Sequence, residues 1–104
     1  DSIMSSIARK DCLSLGESGY PPTLPESGLS TKTKVGGLSI VLANQTVYAA
    51  HGKSKSPTHA GSMRLVIGGS SKANIEGMPI ARLGDPIADG DMINQGFDKV
   101  NVGG

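Results

Sequence analysis

The chain has 104 residues, 15 of them Gly and 6 Pro, with hydrophobic residues at 37% and only Tyr20, Tyr48 and Phe97 as aromatics. So lean a chain makes one domain, 1–104, whose core alone stabilises it marginally, which points to help from oligomerisation, a metal or a large partner. A net charge of +1 argues against a strongly cationic nucleic-acid or membrane binder, and no apolar run approaches the roughly 18 residues of a bilayer span.

In chain order, the first residues show no basic segment followed by an apolar one, so the expectation is synthesis in the cytoplasm without an export signal. "SIARKDC" (Ser6 to Cys12) reads as a strand and turn, and Cys12, the sole cysteine, excludes an internal disulfide. It leaves a buried thiol, an exposed thiol or a metal ligand. "GESGYPPTLPESG" is rich in Gly and Pro and reads as a loop. "LSIVLA" and "TVYAA", two β-prone runs about Asn44-Gln45, predict a hairpin. "MRLVIGG" reads as a strand closed by glycines, and "SSKANIEGMPIARLG" as a second hairpin turning at Glu76-Gly77. "MINQGFDKVNVGG" reads as a third, incomplete unit. No segment keeps a 3.6-residue apolar period over three turns, so the expected class is all-β.

Internal repetition organises these pieces. A shift of 32 lays Val35 on Ile67, Gly36 on Gly68 and Gly52 on Gly84, and a further partial copy starts at Ile93 with Lys99 on Lys72. "IARKD" is then the second half of a unit whose first half is missing, while the last unit has only a first half. Three copies of one supersecondary unit can close around a pseudo-threefold axis, a symmetry that suits a trimeric partner.

Catalytic patterns are missing. No Gly-x-Ser-x-Gly elbow occurs, and "VIGGSSK" lacks the spacing and following helix of a phosphate loop. No enzyme is expected. Asp85, Asp89 and Asp91 read as turn formers rather than calcium ligands. Arg9 and Arg82 occupy matching positions and read as structural, pairing with carboxylates or turn carbonyls. Lys32, Lys34, Lys53, Lys55 and Arg64 make the middle locally basic; with so few aromatics they read as solvated loops ahead of a strand-binding groove. A small β-barrel module for nucleic acid or glycan is the competing reading.

Pro79-Ile80-Ala81-Arg82, its degenerate copy Ile7-Ala8-Arg9, the "IARLGDP" phrase, the Cys after "IARKD" and "GYPPT" resemble the PAAR-repeat proteins. "GYPPT" is similar to the contractile-phage branch. The resemblance implies a small cone capping the trimeric β-helical spike of a contractile tail or type VI secretion system. The location would be the tip of a virion tail or injection apparatus, with transient contact to the target envelope. It implies a structural, membrane-piercing role with no small-molecule substrate.

The resemblance also implies a structural zinc near the tip. Its candidate ligands here are Cys12, His59 and Asp89, with His51 just before the middle turn. Thiolate, imidazole and carboxylate all ligate zinc, and such a metal would tie together loops of low apolar content. The residues alone also allow a buried Cys12, solvated histidines and Asp89 as an ordinary turn residue. If the Gly-Asp loops lie at the tip, Asn44, Gln45, Glu76, Gly77 and Gly103 lie at the spike-docking base.

Overall fold

The structure is a computed structural model and describes residues 5–16, 22–49, 64–88 and 90–103. Within them run β1 (Ser5–Ile7), β2 (Pro25–Ser27), β3 (Lys34–Val35), β4 (Leu38–Ser39), β5 (Val47–Tyr48), β6 (Asn74–Ile75), β7 (Met78–Pro79) and β8 (Phe97–Val102). The described residues contain no helix, and the fold is all-β.

Two hairpins set the period. β3 pairs antiparallel with β4 around Gly36-Gly37, and β6 pairs with β7 around Glu76-Gly77. Both central residues of each turn have positive φ, 59° and 85° in the first and 55° and 83° in the second. That is the backbone of a type I′ turn, whose twist matches the flanking strands. Lys34 pairs with Ser39 as Asn74 pairs with Pro79, so the repeat is 74 − 34 = 40 residues.

This corrects the 32-residue register. Matching one Gly-Gly pair to the other laid the Gly36-Gly37 turn on Gly68-Gly69, which instead packs against Pro86 and Ala43. In the true register "GLSTKTKVGGLSI" falls on "GGSSKANIEGMPI". The hairpin about Asn44-Gln45 is overturned for the same reason: β4 pairs with β3, and β5 pairs with β2. Part of the expected Gly/Pro loop is therefore strand, with Pro25 opposite Tyr48.

The third unit is split between the two ends of the chain. β1 pairs antiparallel with β8, placing Ser5 opposite Val102 and Ser6 opposite Asn101, with a bulge before Ile7. The lone second half and the lone first half thus make one hairpin without its turn.

The units close in a ring. Ala8 N–H donates to the Ala81 carbonyl (3.1 Å), Ala81 to Val41 (3.0 Å), and Val41 back to Ala8 (3.0 Å). A second ring runs the other way round, from Lys10 to Ser39 (2.9 Å), Ala43 to Pro79 (2.9 Å) and Leu83 to Ser6 (2.8 Å). Every donor and acceptor in a ring occupies the same place in its unit, which is pseudo-threefold symmetry expressed in backbone. The alternation of side chains along each strand then divides the core. Ile7, Ile40 and Ile80 join Leu42 and Val102 in a cluster backed by the hairpin residues Val35, Ile75 and Met78. Ala8, Val41 and Ala81 join a second cluster with Cys12, Tyr48, Val66, Ile87 and Ile93.

Candidate functional site

Each unit has two ends, and the extended segment after its hairpin turn connects them. From Gly36-Gly37 the chain passes along β4 and Ile40 to Leu42, then turns back with Thr46 N–H on the Leu42 carbonyl (3.0 Å). Asn44 and Gln45 lie in that second turn, at the opposite end from Gly36-Gly37 and from its equivalent Glu76-Gly77. Gly103 follows Val102, whose pairing with Ser5 matches that of Val35 with Leu38, so it belongs with Glu76 and Gly77. The expected docking base therefore divides: Glu76, Gly77 and Gly103 share the hairpin end, and Asn44 and Gln45 do not.

At the hairpin end the units clasp one another. The Glu76 carboxylate accepts backbone N–H bonds from Thr31 (3.0 Å), Lys32 (3.0 Å) and Thr33 (3.2 Å), and a bond from the Thr31 hydroxyl (3.0 Å). The N–H groups of Thr31 and then Lys32 stabilise its ionised form and hold its carboxyl down to about 2. Glu76 tolerates positive φ, unusual outside Gly, because this clasp fixes the turn. The Ser70 hydroxyl donates to the Gly103 carbonyl (2.5 Å), joining a second pair of units. At the remaining junction a Cβ on Gly36 would meet the Phe97 ring at 3.3 Å.

The other end is a set of capped turns. Arg9 N–H donates to Cys12 Sγ (3.2 Å), Leu42 N–H to Thr46 Oγ1 (2.8 Å), and Arg82 N–H to Asp85 Oδ2 (2.7 Å). Cys12, Thr46 and Asp85 thus do the same work, each closing its own turn through its side chain, with one extra residue in the middle turn. Burial pushes the Cys12 thiol up, and neighbouring Asp11 adds to this against the opposing Arg9 N–H. Cys12 is 3% exposed and remains a thiol at neutral pH, a poor nucleophile.

Arg9 and Arg82 behave as structural groups. Arg82 grips Asp85 through Nε and Nη2, both at 3.1 Å. Arg9 reaches Asp11 (2.9 Å) and the Val35 carbonyl (3.2 Å), and its guanidinium stacks 3.8 Å from the Phe97 centroid. Beside it, Asp11, Cys12, Gln95, Gly96 and Asp98 complete a cavity of about 320 Å³ in the split unit. The other units are closed here: Gln45 and Thr46 donate to the Gly28 carbonyl, and Pro86 covers Gly68.

A buried ion pair holds the loops of this end together. Arg64 Nη2 lies 2.6 Å from Asp91 Oδ2, with side chains 3% and 0% exposed. Arg64 also donates to the Thr23 hydroxyl and the Ala49 carbonyl, while Asp91 accepts from the N–H groups of Gly16 (3.0 Å) and Met92 (2.8 Å). Tyr48 faces Arg64 and donates its hydroxyl to the Cys12 carbonyl (3.0 Å); burial drives its phenol well above the usual range. This corrects two readings. Arg64 is no part of a solvated basic strip, and Asp91 is a buried cross-link instead of a plain turn former. The available signal was a guanidinium at the head of the apolar run "LVI".

Of the expected zinc ligands, only Cys12 falls within the described residues; His51, His59 and Asp89 lie outside them. Among the described residues no three His, Cys, Asp or Glu side chains are placed to hold a metal ion. Turn closure already accounts for Cys12, since Thr46 and Asp85 do the same work in the other units. No protein-family model matches this chain, and no curated protein matches it.

Proposed function

We propose that this chain is a non-enzymatic tip that caps a trimeric β-helical spike of a contractile injection machine, one chain per trimer. The observation that carries the reading is the ring of bonds among Ala8, Val41 and Ala81. One chain thereby presents three nearly equivalent edges, the symmetry needed to sit on a threefold axis without leaving one partner chain unmatched. The resemblance of Pro79-Ile80-Ala81-Arg82 and Ile7-Ala8-Arg9 to the PAAR repeat supports the same reading. The hairpin end, with Glu76, Gly77 and Gly103, is the docking base, where it covers strand edges of the spike open to unwanted pairing. The capped-turn end is the leading point of a cone at the tip of a virion tail or secretion apparatus. Zinc held by Cys12 with His51, His59 or Asp89 is a separable part of this proposal, tested by elemental analysis of the purified chain.

The experiment is mixing with a recombinant trimeric β-helical spike fragment, followed by mass measurement. One chain per trimer is expected. Three chains per trimer, or no complex with any such fragment, refutes the capping role. Salt-sensitive binding to duplex DNA instead would favour the basic-module reading.

A further inference from the structure

The corrected register brings together residues that the sequence scatters. Lys34, Asn74 and Asn101 are equivalent because they pair with Ser39, Pro79 and Ser6 in the three units. Two residues before each stands a lysine: Lys32, Lys72 and Lys99, all three exposed. Each lies on the outer segment that leads into a hairpin, close to where the neighbouring unit's turn meets it. Glu76 bonds Lys32 N–H, Gly103 bonds Ser70 next to the 71–73 loop, and Gly36 approaches Phe97 ahead of Lys99.

Among the described residues, charge at this end is unbalanced. The segments 28–39, 68–79 and 95–103 carry Lys32, Lys34, Lys72 and Lys99 against Glu76 and Asp98. Glu76 is already engaged by the N–H groups of Thr31, Lys32 and Thr33. A cation repeated once per unit around a pseudo-threefold axis matches a surface that offers one anion per chain of a trimer. We propose that Lys32, Lys72 and Lys99 form a basic collar that docks against an acidic, threefold-symmetric end of the partner, one carboxylate-bearing edge per partner chain. This rests on the capping role above and adds the partner's chemistry to it. Such rim charges act mainly on encounter rate, orientation and salt dependence.

The test uses the full chain and trimeric β-helix fragments whose blunt ends carry Glu, Gln or Lys at one position per chain. Wild type should bind the Glu-ended fragment more tightly than the Gln-ended one and reject the Lys-ended one. Each of Lys32→Gln, Lys72→Gln and Lys99→Gln should weaken binding about 1.5- to 5-fold, as expected for exposed ion pairs, and the triple variant about tenfold or more. Raising salt from about 0.05 to 0.5 M should weaken the wild type and leave the triple variant nearly unchanged. Lys10→Gln, at the capped-turn end, is the control and should have no effect. Equal binding of wild type to all three fragments overturns the collar and leaves the capping role standing. Binding to none of them overturns both. Duplex DNA displacing the Glu-ended fragment overturns the collar as a protein-docking device.

Discussion

Asp91→Ala removes the centre of the network that ties the loops at the capped-turn end. It removes a carboxylate whose side chain is fully buried and which takes a 2.6 Å bond from Arg64 and N–H bonds from Gly16 and Met92. The guanidinium left behind is 3% exposed, and removing one partner of a buried pair costs about 3–5 kcal/mol. The two N–H groups add to this unless water reaches them. For a domain this size about 3 kcal/mol lowers the melting temperature by roughly 12 °C or more, a large share of the typical 5–15 kcal/mol of total stability. Urea unfolding of wild type, Asp91→Ala, Arg64→Met and the double variant measures the pair as a cycle. The double variant should cost less than the sum of the singles by at least about 1 kcal/mol. A loss under about 1 kcal/mol for Asp91→Ala, with no coupling, would refute the view that this pair ties the loops.

Other outcomes follow from single contacts. Glu76 has a folded value of about 2 against an ordinary 4.5, so its contribution is complete above about pH 4.5 and is lost as pH falls toward 2. Acid titration of stability should therefore show a slope in that window that Glu76→Gln lacks; identical profiles would exclude the clasp. Cys12→Thr should stay within about 1 kcal/mol of wild type because Thr46 closes the equivalent turn, while Cys12→Ala should lose more. Equal losses for both, with stoichiometric zinc in the wild type, would mark Cys12 as a ligand instead. Gly28→Ala should destabilise by upwards of about 2 kcal/mol, since φ is +75° and an added Cβ would overlap the Gln45 carbonyl. A stable Gly28→Ala variant would mean that this part of the chain relaxes freely.

The class of the fold and its split unit were legible because strand-like runs and the broken "IARKD" copy are local features. The hairpin at Glu76-Gly77 was legible for the same reason. Register was not. A type I′ turn accepts Gly36 in one unit and Glu76 in the next, so the equivalence lies in φ and not in residue identity. Matching Gly to Gly then displaced one unit by eight residues (40 − 32) and carried Asn44 and Gln45 to the wrong end. The caps hid themselves likewise: a thiol, a hydroxyl and a carboxylate accept the same N–H, so no shared letter marks Cys12, Thr46 and Asp85. Arg64 and Asp91 are 27 residues apart, and nothing local reports that both are buried.

The seam between β1 and β8 has a consequence during synthesis. Ser5 to Ile7 leave a ribosome well before their partners, and pair only when Phe97 to Val102 have also emerged. Until then Ala8, Val41 and Ala81 can meet, but the hairpin that covers Ile7 is half absent and that part of the core stays wet. Nascent chains arrested before β8 should remain protease-sensitive around β1, and full protection should arrive in one step once β8 clears the exit tunnel. A fold closed this way reaches its protected state late, with β8 acting as the latch.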